Sequence, residues 1–159
     1  MLYLGINVSH NASAALMLDG EIIVAVQEER FTKIKNFTGY PKKSIDFCIK
    51  EAKKRKIKID KAAFSTINNP PFSYRVPQTH FFSVKDYDDY YGEYYGKKLR
   101  GVPNKKYLVD LLNRKENNLK KLYLNFKKLS FKDLFSYKKF RDIMREYLSK
   151  QLGGNTKIL

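Results

Sequence analysis

Two apolar runs near the start of the chain, residues 12–18 and 21–27, are separated only by Asp19-Gly20. Both turn residues tolerate positive φ, which a two-residue hairpin needs if it is to match the right-handed twist of its strands. Ile22, Ile23, Val24 and Val26 in the second run are β-branched and favour a strand. An earlier apolar run, residues 2–8, meets the first across Ser9-His10-Asn11 alone. That gap is too short for a parallel crossover, so the three runs are expected to form an antiparallel meander. An all-helical fold is excluded from the outset.

Residues 28–66 turn the meander into a mixed sheet. After the polar stretch QEERFTKIKNFTGYP a helix is expected to open at Pro41, where a missing N–H costs nothing in the first turn. Ile45, Cys48, Ile49 and Ala52 then recur at helical spacing as one apolar stripe, with Lys42, Lys43, Lys50 and Lys53 outside it. Residues 59–66 read as a fourth strand. A helix between two strands allows a parallel crossover, so the order ββ β α β predicts an α/β fold with a helix on one face.

From Ile67 the pattern changes. NNPPFSYRVPQTHFF holds three of the five prolines and no helical period, so an excursion over the surface is expected. Ser83 and Asp86 have capping-box spacing, with Asp where Glu is usual, at the head of the tyrosine-rich stretch DYDDYYGEYYGKKL, which reads as helical despite its glycines. Two more helices are expected, one on Leu108, Leu111, Leu112, Leu119, Leu122, Tyr123 and Phe126, the other on Phe140, Ile143, Met144, Tyr147 and Leu148. Gly153-Gly154 ends the last, and Lys157-Ile158-Leu159 reads as a strand just begun.

At 159 residues with 43% apolar content, the chain can bury a core as one domain. Its single cysteine, Cys48, can form no internal disulfide, and nothing near it would lower its pKa, so a buried inert thiol is expected. No apolar run approaches the ~20 residues of a membrane span, and the N-terminus lacks a basic stretch before its apolar residues; a cytoplasmic location is expected. The net charge of +16 points first to nucleic acid. Yet residues 1–52 carry six basic and six acidic residues, and the whole excess, 26 against 10, lies in 53–159. Lysine there travels with Tyr, Phe, Asn and Ile, as an AT-rich coding sequence would produce without selection for binding. Nucleic acid and membrane are therefore not the expected partners.

Two places could carry chemistry. His10 sits in the tight turn between the first strands, and its side chain titrates nearest to neutral pH; a surface or hydrogen-bonded turn histidine is the plainer alternative. The cluster Gln27-Glu28-Glu29-Arg30, at the end of the third strand, could take a polar acceptor and an anionic group together, or be a solvated charged turn. There is no G-x-x-x-x-G-K-[ST] and no G-x-G-x-x-G. His80 and Cys48 are too isolated for a recognised metal spacing, so no metal ligands are assigned. Tyrosines 87, 90, 91, 94 and 95 could stack on bases or sugars, though helix packing accounts for them as well.

The order G-I-N, S-H-N-A-S-A-A-L, D-G-E-I, Q-E-E-R-F-T-K-x-K and a Pro-led helix containing F-C, all within residues 2–66, resembles the N-terminus of the carbamoyltransferase family that includes the nodulation-factor and tobramycin carbamoyltransferases. FSVKDYDDYYGEYYGKKL and the last helix are similar more loosely. The resemblance implies a transfer domain of the actin-like ATPase (ribonuclease H-like) class. In full-length members a second domain makes carbamoyl-adenylate from ATP and carbamoyl phosphate, and the first passes the carbamoyl group to a hydroxyl of a sugar or other natural product. Carried onto this chain, His10 would be the catalytic histidine, Lys35 would contact carbamoyl-adenylate, and Gln27 would face the acceptor where many relatives carry Glu. Asn11 stands where Asp is commoner.

The family's next motif, H-H-x-x-H-A, holds an iron(II), and this chain ends at Leu159 just before it. The resemblance thus implies an incomplete domain: residues 1–66 the sheet and helix, 67–152 a loop and helical insertion, 153–159 the start of a strand. An O-carbamoyltransferase fragment, inactive alone, is the expectation, whether as a truncated reading frame, a remnant, or one piece of a split enzyme whose missing C-terminal half is a separate chain. The alternative is a basic protein that binds nucleic acid or an anionic surface through the Lys- and aromatic-rich helices of 84–150.

Overall fold

A computed structural model describes residues 1–65, 83–102, 105–114, 133, 136–154 and 156–159. The chain divides into two compact units, residues 1–69 with 137–159, and residues 70–136. The predicted excursion of 67–82, with His80, and the Leu119–Phe126 part of the predicted helix lie outside the described residues.

The first unit is α/β. Strands β1 (Leu2–Asn7), β2 (Ser13–Leu18), β3 (Glu21–Gln27), β4 (Lys61–Phe64) and β5 (Lys157–Ile158) form one mixed sheet in the order β3-β2-β1-β4-β5. The meander is antiparallel, from Leu2↔Leu18 to Asn7↔Ser13 and from Leu18↔Glu21 to Ser13↔Gln27, while β4 runs parallel to β1 and β5 parallel to β4. Asp19 and Gly20 both take positive φ, 49° and 96°, as the expected hairpin turn requires.

Period-two alternation gives the sheet two unlike faces. Leu2, Leu4, Ile6, Ala14, Leu16 and Ala62 are buried on one. Against it lies α2 (Lys42–Lys54), which presents Ile45, Cys48 and Ala52 as the sequence pattern anticipates. Helix α6 (Tyr137–Gln151) buries Phe140, Met144 and Leu148 and is tied to the start of α2. Gln151 Nε2 donates to the Lys42 carbonyl at 3.0 Å and to Asp46 Oδ1 at 2.7 Å, and the Tyr40 hydroxyl donates to Gln151 Oε1 at 2.7 Å. On the opposite face Gly5, Met17 and Ala25 are exposed, and a Cβ built on Gly5 would meet nothing within 4 Å. One short helix departs from the expected loop: α1 (Glu29–Thr32) directly follows β3 and ends on Lys33 in the left-handed region.

The described part of the second unit begins with the predicted capping box. Ser83 Oγ accepts from Asp86 N at 3.1 Å and Asp86 Oδ2 accepts from Ser83 N at 2.9 Å, so Asp serves where Glu is usual. Helix α3 (Val84–Asp89) continues into a seven-residue π-helical segment, Tyr90–Gly96, and then α4 (Lys97–Leu99); α5 (Lys105–Arg114) comes next. The tyrosines turn their rings on one another, Tyr91 on Tyr95 and Tyr90 on Tyr94 in stacked pairs 5.6 and 5.5 Å apart.

Candidate functional site

The site is built where β1, β2 and β3 meet the segments that succeed them. Asn7 ends β1, and its side chain organises the turn into β2. Its Nδ2 donates to the carbonyls of His10 and Asn11 at 3.0 and 3.2 Å, and its Oδ1 accepts from Ser9 N and Oγ at 3.1 and 2.6 Å. Val8 and Ala12 are buried at either end of the turn, Asn11 sits at φ 55°, and His10 is left exposed at its tip. The tight turn expected between the first two strands is present, with His10 on it. Of the other assigned residues, Asn11 is half-buried and Lys35 is exposed.

Lys35 lies on a loop held by three hydrogen bonds, two to Glu29 and one to Ala12. Lys33 N donates to the Glu29 carbonyl at 2.9 Å, Asn36 N donates to Glu29 Oε2 at 3.0 Å, and the Phe37 carbonyl accepts from Ala12 N at 2.9 Å. The last bond joins this loop to the His10 turn, and Glu28 N, donating to the Ala12 carbonyl at 2.8 Å, joins the end of β3 to it as well. Motifs far apart in the chain are thereby brought to one end of the sheet.

Gln27 projects on the open face. Register places Asn7, Ser13 and Gln27 opposite one another in a polar row across three strands, with Gly5, Ala15 and Ala25 as the row behind. Around Gln27 a cavity of about 340 Å³ is lined by Ser13, Ala15, Ala25 and Arg30. Alanines give it a flat floor, and its polar groups are a hydroxyl, an amide and a guanidinium. Such a hollow can seat a small ring and donate hydrogen bonds to its substituents.

Within the charged cluster only Glu28 turns inward. It is 2% exposed, and its carboxylate accepts from Lys43 N at 3.0 Å, Ser44 N at 2.7 Å and Ser44 Oγ at 2.8 Å. It therefore caps α2 from another segment, a role its helix's own N-cap, Pro41, cannot fill. Sequence reasoning offered no sign of this, since a charge beside other charges reads as solvated. Cys48 is fully buried, and burial together with Glu51 pushes its thiol up to about 12, which makes it inert as expected.

Among the described residues no three of His, Cys, Asp and Glu come together to hold a metal ion. The iron implied by the resemblance has no ligand set in them. No described helix is long and apolar enough to cross a membrane.

The sequence pattern of the family described as carbamoyltransferase N-terminus matches residues 3–142. The chain belongs to that family. It is 46% identical over 52 residues to an uncharacterized protein of Methanocaldococcus jannaschii, a stretch that is 33% of this chain and 10% of that protein. It is 49% identical over 43 residues to an uncharacterized protein of Synechocystis, covering 27% of this chain and 7% of the relative. It is also 42% identical over 43 residues to the nodulation protein NolNO of Sinorhizobium fredii, again 27% of this chain and 6% of that protein. The chain thus matches a tenth or less of the length of these relatives.

Proposed function

We propose that this chain carries the acceptor and base side of an O-carbamoyl transfer, within a fold of the actin-like ATPase class, and that it acts with the remaining length its relatives possess. The observation that supports this reading is the pair of backbone hydrogen bonds at Ala12, which gathers the His10 turn, the Lys35 loop and the end of β3 in a member of the carbamoyltransferase N-terminus family. In the proposed step the hydroxyl of a sugar or other natural product gives its proton to the His10 imidazole as its oxygen attacks the carbamoyl carbon of carbamoyl-adenylate. The bond from that carbon to the phosphate oxygen breaks, and AMP leaves with the electron pair. Lys35 balances the charge on the departing phosphate. Gln27, with Ser13 and Arg30 in the cavity beside it, binds the acceptor. Asn11, half-buried next to His10, contacts the substrate beside the base. Carbamoyl phosphate and ATP supply the donor.

The test uses protein purified from the cells that make it, together with any domain or chain it is joined to. It is incubated with ¹⁴C-carbamoyl phosphate, ATP and the small-molecule extract of those cells. A labelled carbamate ester is expected, with His10→Ala and Lys35→Ala lowering its formation by about 10²–10⁴-fold. Because both side chains are exposed, neither change should move the melting temperature. Undiminished labelling in both variants overturns the reading. The nucleic-acid alternative draws no support from the tyrosine stretch, where the rings stack on one another.

A further inference from the structure

The proposed step gives Asn7 no part, yet its side chain ties together the whole turn that carries His10. It meets two carbonyls through Nδ2 and two donors through Oδ1, and the Ser65 hydroxyl stands 3.5 Å from the same oxygen. That pattern admits one residue type. A primary amide alone places two donors and an acceptor at the end of so short a stem. Aspartate would set an oxygen against the carbonyls of His10 and Asn11. Serine is too short to reach both sides, and glutamine carries an extra methylene into a tight turn.

The turn needs such a brace. Asn11 is held at φ 55°, in the left-handed region that L-residues rarely adopt without local hydrogen bonds to support them. The backbone bonds at Ala12 hold the far side of the turn. Between Val8 and Ala12 the peptide of His10 is held through its carbonyl by Asn7 Nδ2. Asn7 is itself fixed, because its backbone pairs with Ser13 at the end of the β1–β2 ladder. A displacement of the His10 backbone carries the imidazole with it.

We propose that Asn7 is a positioning residue for His10: it locks the turn so that the imidazole stands at a set place at the end of the sheet, beside the Asn7–Ser13–Gln27 row. This rests on the reading of His10 as the base. The experiment compares wild type, Asn7→Ala, Asn7→Asp and His10→Ala in the protein from its own cells, supplied with carbamoyl phosphate, ATP and a saturating amount of the same cell extract. Both Asn7 variants should lower turnover by about 10- to 100-fold, the scale of an ångström-level misplacement. Their KM for carbamoyl phosphate should stay within about twofold, since binding of the donor is untouched. In NMR spectra the amides of residues 8–11 should shift while those of the β1–β2 ladder stay protected.

Turnover within about twofold of wild type in both Asn7 variants, with His10→Ala inactive, overturns this proposal and leaves the base assignment standing. Loss of turnover that comes with loss of ladder protection overturns it too, as a merely structural effect. Full turnover by His10→Ala overturns the reading of His10 as the base, and the positioning role falls with it.

Discussion

Replacing Glu28 by alanine should cost the protein far more stability than a charged residue in a turn normally commands. The carboxylate is buried and accepts three hydrogen bonds, two of them from backbone N–H groups in the first turn of α2. That helix has no acidic residue of its own in its first turn, and Pro41 offers it no side-chain cap. Alanine removes the cap, worth about 1 kcal/mol. It also removes a buried negative charge at a helix N-terminus, worth up to about 2 kcal/mol. Ser44 is fully buried, so its N–H and hydroxyl are left without that acceptor, a penalty of about 1–3 kcal/mol per group when water cannot enter. These contributions overlap, and a net loss of about 3 kcal/mol is expected.

Glu28→Gln sharpens the test. It keeps one acceptor oxygen but sets an amide N–H₂ against a donor and removes the charge, so about half the loss should remain. Urea titrations followed by far-UV circular dichroism measure both, with an unchanged m-value confirming that the denatured state is unaltered. On heating, a loss of about 3 kcal/mol corresponds to a fall of about 6–12 °C for a chain of this size. A change below about 0.5 kcal/mol in Glu28→Ala would place Glu28 among exposed ion-pairing residues and refute the capping argument.

Four further outcomes are expected. Cys48 is raised to about 12 from an ordinary 9.0, so the unfolded chain gives up the thiol proton first: stability is full below about pH 9, falls as pH rises toward 12, and falls less in Cys48→Ala, as urea midpoints from about pH 8 to 10.5 will show. Native Cys48 should also resist iodoacetamide at about pH 8 until the protein is denatured. Tyr40→Phe leaves Gln151 Oε1 without its donor and should cost about 1–2 kcal/mol by thermal melts; no loss would show that the tie between α6 and α2 rests on Gln151 Nε2 alone. Ala25→Leu fills the cavity beside Gln27 from an exposed position. It should raise the acceptor KM by about tenfold with turnover at saturation and melting temperature unchanged, and an unaltered KM would move the acceptor elsewhere.

How much of this was legible in the sequence depended on the range of the interactions. The hairpin at Asp19-Gly20, the β-branched third strand, the apolar stripe of α2 and the Ser83–Asp86 capping box are all local patterns, and each appears where expected. Helix α1 is only four residues long, too short to show a helical period inside a charged loop. The π-helical segment escaped because Tyr pairs four apart look the same in an α-helix. Glu28 escaped for a different reason: its partners are 15 and 16 residues away, and only the fold brings them together. Asn7 was the most accessible omission. An Asn followed two residues later by Ser reads as an Asx-turn, and its bonds all lie within four residues save the contact with Ser65.

One irregularity decides which way Gln27 faces. At the Asp19-Gly20 turn the strands pair Leu18 with Glu21 and Met17 with Ile22, a register that, continued, would set Ser13 opposite Val26. Instead the register shifts between Leu16 and Met17: Leu16 pairs with Val24, Ile23 becomes the extra residue, and Ser13 meets Gln27. Since side chains alternate along a strand, the shift exchanges the faces of every residue beyond it. Without the bulge Val24 and Val26 would follow the exposed Ile22 onto the open face, and Gln27 would point toward α2. With it, two valines turn toward the helical side and Ala25 and Gln27 toward the site. The face on which Gln27 stands, the one the proposed chemistry uses, is therefore set by a single inserted isoleucine, at the end of the sheet away from Gln27.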